Sequence, residues 1–259
     1  MEQLTQPPPS GSEPVDPVAR RQRVGFELVG EIVLVLGLWL GYRQVRHLTR
    51  DQAGEAFSNA RQVIGFERAL DLFNERAVQR FVLHSDAFVW FLNQYYARVH
   101  LPLTAVFVVW LLVRHRDWYR RARTLLISVT AVGLLIHVTY PLAPPRMMRG
   151  YGFVDTLRQH GVDLYSADPS DSFANQFAAM PSLHFGWAVI VAVVFVSVKR
   201  TRASTLAFAH PAITLLAIVA TANHYWLDAI IGLILVVCAW VLTDRVWRRR
   251  FLGLAGRWR

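Results

Sequence analysis

Apolar residues gather along this chain in long unbroken runs separated by short polar segments. The runs cover Val24–Tyr42, Phe88–Val113, Thr124–Leu142, Ser182–Val198, Leu206–Ala222 and Trp226–Thr243. Each reaches roughly 17 residues or more, near the length a helix needs to cross a bilayer core of roughly 30 Å. Six transmembrane helices are therefore predicted. Between the first two, "FERALDLFNERAVQRFVL" repeats apolar residues at helical spacing among balanced charges, which predicts an amphipathic helix on the bilayer surface. The expected fold class is an all-α integral membrane protein with six spans and one additional interfacial helix.

The polar segments give the organisation. Residues 1–19, containing "QPPPSGSEPVDP", have no apolar face and read as a disordered cytoplasmic tail. Residues 20–243 form the six-helix membrane domain, and 244–259 a basic cytoplasmic tail. The first run follows Arg20, Arg21 and Arg23, lacks a small-residue cleavage pattern and is too long for a signal-peptide core, so it stays as a span. Within it Glu27 and Glu31 share one helical face and should turn toward protein.

Charge then orients the spans. Cytoplasmic loops carry the excess of arginine and lysine, and here "RHRDWYRRAR", "KRTR", "RVWRRR" and the N-terminal arginines fall on alternate connections. The remaining connections, Arg43–Asp86, Ala143–Pro181 and Asn223–Tyr225, are balanced, mildly acidic or uncharged. Both termini are thus expected in the cytoplasm of a multi-pass cell-membrane protein. Composition agrees, with 54% hydrophobic and 18% charged residues. The net charge of +10 is explained by this alternation, so no nucleic-acid partner is expected. The single cysteine, Cys238, excludes an intrachain disulfide.

Against that topology, a few polar residues stand out on the extracytoplasmic side. "YPLAPPRMMRG" places Arg146 just beyond the third span, "MPSLH" places His184 in the first turn of the fourth, and "NHYWLD" places His224 and Asp228 at the start of the sixth. Three separate connections thus converge at one end of a bundle. Arginine offers a planar fork of donors to a phosphate and keeps its charge. Pro181 and Ser182 suit a helix start, whose unbonded amides favour an anion. That end also disfavours a positive imidazole, so His184 would release a proton readily, as a general acid must. His224 and Asp228 lie four apart, so the carboxylate can bond one ring nitrogen and leave the other nucleophilic. Taken singly, an interfacial histidine or a headgroup-binding arginine needs no catalysis. Asp228 is harder to place, because an acid inside an apolar span is costly unless paired.

These residues resemble the type 2 phosphatidic acid phosphatase superfamily, which carries three short motifs on one face of a six-helix membrane bundle. "PPR", "MPSLH" and "HYWLD" look most like the inositol phosphorylceramide synthase branch, and the resemblance covers roughly Gln62–Thr243. It implies that His224 is the nucleophile forming a phosphohistidine, Asp228 its orienting partner, His184 the acid for the leaving oxygen, and Arg146, with Ser182, a phosphate clamp. The chain departs from the general lipid phosphatases at Thr139, Met147, Leu183, Ala217 and Ile218, where they carry lysine, proline, glycine, serine and arginine. Arg149 or His137 would have to replace the missing cationic donors. "NQYYARVHLPLT" is also similar to a helix of the synthase branch, making Tyr95 and His100, with Asn223 and Tyr225, candidate substrate-binding residues.

The expected enzyme takes a phosphoryl or phosphodiester group from a lipid donor in the outer leaflet. The acceptor is either a hydroxyl, giving a phosphotransferase, or water, giving a lipid phosphatase. A non-catalytic lipid transporter or scaffold is the reading of another class. Asp163, Asp168 and Asp171 belong to a polar loop, and neither metal nor other cofactor is expected.

Overall fold

The structure, a computed structural model, describes residues 37, 40, 41, 43 and 44, then 52–159 and 176–255, with side chains as far as 245. The chain divides into two compact units, Met1–Arg43 and Gln44–Arg259. In the first, Gly37, Leu40, Gly41 and Arg43 are helical. The rest of the predicted first span with Glu27 and Glu31, the tail 1–19, the loop aspartates Asp163, Asp168 and Asp171, and residues 256–259 lie outside the described residues.

Among the described residues, the regular elements of the second unit are all helices. In chain order it comprises α1 (Ala53–Ala69), α2 (Glu75–Val82), α3 (Asp86–Arg114), α4 (Arg116–Thr139), the short α5 (Thr156–Gln159), α6 (Leu183–Lys199), α7 (Ala209–Ala220) and α8 (Trp226–Ala255). Among the described residues, four helical segments are long and apolar enough to cross a membrane: α3, α4, the segment Arg202–Ala220 that ends in α7, and Trp226–Arg245 of α8. The shorter α6 is apolar but has only 17 residues. The four long segments fall where the second, third, fifth and sixth spans were predicted, and the shorter α6 where the fourth was.

Three local departures have physical causes. The third predicted span began at Thr124, but α4 already starts at Arg116, because arginine is a good helix former and its charged head reaches water from a helix end. It stops at Thr139, so Tyr140–Leu142 lead into the next connection instead of completing the span. Inside α3, a π-helical turn at Tyr95–Val99 precedes Pro102. Proline lacks an amide and crowds the preceding turn, and a widened turn accommodates both effects.

The predicted interfacial helix is corrected more substantially. "FERALDLFNERAVQRFVL" is split between α1 and α2, with Asp71 at a left-handed φ of 56° and the Leu72 amide closing α1 onto the Glu67 carbonyl. Its polar residues do not all face water. Glu67, Glu75 and Gln79 are buried, and Gln79 donates to the carbonyls of Val154 and Ala220 while accepting from the Val154 amide.

Helix α6 lies at the centre, packed by α3, α4, α7 and α8. Leu125, Val129, Ile190, Val191, Val194 and Val236 fill the layer among α4, α6 and α8. Small residues allow the closest approaches. A Cβ on Gly232 of α8 would stand 2.7 Å from the Ser182 carbonyl oxygen, so only glycine lets the segment before α6 lie on α8.

Candidate active site

Two connections meet over the start of α8. The one after α4 and the one before α6 join in a short parallel bridge between Leu142 and Ala178, with bonds from the Leu142 amide to the Phe177 carbonyl and from the Ala179 amide to the Leu142 carbonyl. Helix α1 anchors the first, since the Ala143 amide bonds the Ala56 carbonyl and Asn59 donates to the Pro141 carbonyl. The Arg146 amide reaches the Ala222 carbonyl, and the Ser182 amide reaches the Asp228 carbonyl, each at 2.9 Å. These backbone bonds bring the three sequence-predicted motifs together.

His224 stands where they converge. It precedes α8 rather than lying within it, so its contact with Asp228 comes from the capping of the helix and not from a shared helical face. Asp228 Oδ2 accepts from the Tyr225 amide at 2.9 Å and from His224 Nδ1 at 3.2 Å. His224 Nδ1 also lies 2.7 Å from the Ala179 carbonyl oxygen. A carbonyl oxygen can only accept, so Nδ1 carries the ring proton and Nε2 keeps a lone pair. Burial pushes the His224 imidazole down to about 4; the Ala179 carbonyl opposes that shift and the nearby Arg146 charge adds to it. The ring is therefore neutral at physiological pH.

Arg146 is buried, and its Nη1 donates to Asn223 Oδ1 at 2.6 Å. Asn223 is held in turn by its bond to Thr221 Oγ1 at 2.7 Å. The Asp155 carboxylate lies 3.8 Å from Arg146 Nε. Ser182 caps α6, its hydroxyl accepting from the Phe185 amide at 3.4 Å. The amides of the first turn of α6 have no intrahelical acceptor, as at every helix start, and His184 projects from that turn. Its ring centroid is 6.2 Å from that of His224.

The remaining candidates separate. His100 is fully buried, with its ring 5.2 Å from His184 and 5.3 Å from His210, and among the described residues neither of its nitrogens has a hydrogen-bond partner. Tyr95 bonds His210 through its hydroxyl. Tyr96, which the sequence reading passed over, lies against His184 with ring centroids 4.7 Å apart. His137 is buried with Nε2 3.3 Å from the Pro181 carbonyl, whereas Arg149 is exposed. The Tyr225 hydroxyl is bonded to the Ala143 carbonyl. Leu183, where the chain departs from the phosphatase pattern, seats its side chain on Gly133 of α4.

The pattern of side chains in the sequence could not show the Ala179 carbonyl, because a backbone acceptor has no residue signature. His210 carried a fainter signal as a histidine within an apolar run.

Comparison with known proteins places this arrangement. The family model of the PAP2 superfamily matches residues 61–242. The chain is similar to the phosphoinositol dihydroceramide synthase of Bacteroides thetaiotaomicron, at 26% identity over 147 residues, 51% of this chain and 47% of that protein. The match thus spans about half the length of that relative. No solved structure matches the chain.

Proposed function

Because this chain belongs to the PAP2 superfamily, an enzyme class of lipid phosphatases and phosphotransferases, we propose that it is a phosphotransferase working through a phosphohistidine on His224. The observation that carries the mechanism is the Nδ1 contact with the Ala179 carbonyl, which leaves Nε2 as the nucleophile. Nε2 attacks phosphorus, the bond from phosphorus to the lipid oxygen breaks, and His184 gives its proton to the departing oxygen. The imidazolium formed on His224 keeps its Nδ1 proton between Ala179 and Asp228. Arg146 and the first-turn amides of α6 hold the phosphoryl oxygens. In the second half, an acceptor hydroxyl attacks the phosphohistidine, the nitrogen–phosphorus bond breaks, and the acceptor proton returns to His184.

The relative's name supports a phosphoinositol group as the cargo and a ceramide-type hydroxyl as the acceptor. The donor enters from the outer leaflet, in keeping with the distribution of arginines.

The test supplies phosphatidylinositol in mixed micelles with and without ceramide. The expected result is an inositol-phosphorylated ceramide formed only with acceptor present. Release of inositol phosphate or inorganic phosphate at the same rate with or without ceramide would assign water as the acceptor. Lipid binding or movement with neither product would assign the transporter or scaffold reading.

A further inference from the structure

The first turn of α8 is gripped by three acids from three elements. The Tyr225 amide bonds Asp228 Oδ2 at 2.9 Å, the Trp226 amide bonds Glu75 Oε1 of α2 at 3.2 Å, and the Leu227 amide bonds Glu67 Oε1 of α1 at 2.8 Å. Three consecutive amides that a helix start leaves without intrahelical acceptors are thereby satisfied inside the protein. Both glutamates are fully buried, at 0% exposure. Their Oε1 atoms accept from the adjacent amides of Leu227 and Trp226, which holds the two carboxyl groups side by side, and among the described residues Glu67 Oε2 and Glu75 Oε2 have no hydrogen-bond partner. Two carboxylates buried side by side repel each other with little solvent to screen them, and one retained proton removes that repulsion.

We propose that Glu67 and Glu75 are positioning residues, a carboxyl pair sharing one proton that fixes the first turn of α8 and so the placing of His224 and Asp228. The proposal rests on the reading that His224 and Asp228 perform the chemistry. Neither glutamate is assigned a contact with the phosphate; Glu75 acts through the Trp226 amide and Glu67 through the Leu227 amide, two and three residues after His224. The groups facing the pair are Asp228 and Tyr225 on the α8 side and Tyr151 beyond Tyr225. Arg68, the neighbour of Glu67 in α1, lies over the rings of Phe73 and Tyr151. Among the described residues neither glutamate is ion-paired with lysine or arginine.

The proton is held firmly. Burial, the closeness and charge of Glu75, and to a lesser degree Asp228 raise the Glu67 carboxyl to about 9, against the opposing pull of the Leu227 amide. Loss of that proton places two buried negative charges against each other and against Asp228, and the grip on α8 loosens. The sign is that of an acid with a raised native pKa: its contribution to stability is whole below the ordinary value of 4.5 and is lost as pH rises through about 9.

The experiment uses the purified full-length protein in detergent. Difference infrared spectra should show one protonated buried carboxyl in the wild type, titrating near 9 and missing from Glu67→Gln. With phosphatidylinositol and ceramide, wild-type kcat should fall above that pH. Glu67→Gln, whose amide is a permanent donor, should lose this alkaline limb while keeping kcat within about threefold at neutral pH. Glu75→Ala should lower kcat by about 10²-fold with little change in KM, as a displaced nucleophile does. Absence of the carboxyl band, or an unchanged alkaline limb in Glu67→Gln, would overturn the proposal, and either result stands if Glu75→Ala fails to fold. A wild type with the band but neither transfer nor hydrolysis would instead overturn the functional reading.

Discussion

The proposed nucleophile depends on which nitrogen of one ring holds a proton, and the Ala179 carbonyl decides it. His184, His224, Arg146 and Asp228 were legible in the sequence because each is a costly residue in or beside an apolar run, and the predicted spans put all four at one end of the bundle. The roles suggested for Tyr95 and Arg149 were less legible, since helical spacing cannot say whether a side chain faces a site or a neighbour. Tyr95 bonds His210, and Tyr96 takes the position against His184. A pH profile tests the His224 environment. The nucleophile must be neutral, so kcat/KM should fall as pH drops through the native value. Burial places that acidic limb at about 4 rather than at the ordinary histidine value of 6.5. A phosphodiester donor, already ionised over this range, makes the measurement clean, and a limb near 6.5 would show a solvated imidazole.

At the level of elements, the site depends on two connections being pressed onto the start of α8. Gly232 permits this, because a methyl group there would stand 2.7 Å from the Ser182 carbonyl, a backbone atom with little freedom to retreat. Gly232→Ala should therefore cost about 1–3 kcal/mol in unfolding free energy. It should also depress kcat more than lipid affinity, by separating His184 from His224. Thermal unfolding with steady-state kinetics checks both, and a fully stable, fully active variant would show that α6 and α8 can part without harm. The apolar runs announced the long helices because bilayer length constrains them. The break at Asp71 and the burial of Glu67, Glu75 and Gln79 stayed hidden. Their partners are backbone groups distant in sequence, and an amphipathic pattern does not distinguish a face turned to water from one turned to another helix.

For the whole molecule, the proposed function calls for a site open to the outer leaflet and arginine-rich connections in the cytoplasm. Arg149 and Arg202 are both exposed and fall on connections assigned to opposite sides. With Cys238 replaced by serine, a cysteine at position 149 should react with a membrane-impermeant thiol reagent applied outside intact cells. A cysteine at 202 should react only after permeabilisation. The reverse pattern would place the site on the cytoplasmic face. The chemistry proposed for that site has its most direct test in rapid quenching with a radiolabelled phosphoinositol donor. The expected result is an acid-labile adduct on His224 that decays when ceramide is added and never forms in His224→Ala, which should bind lipid without turning it over. Full turnover by His224→Ala, with no adduct trapped in the wild type, would contradict it.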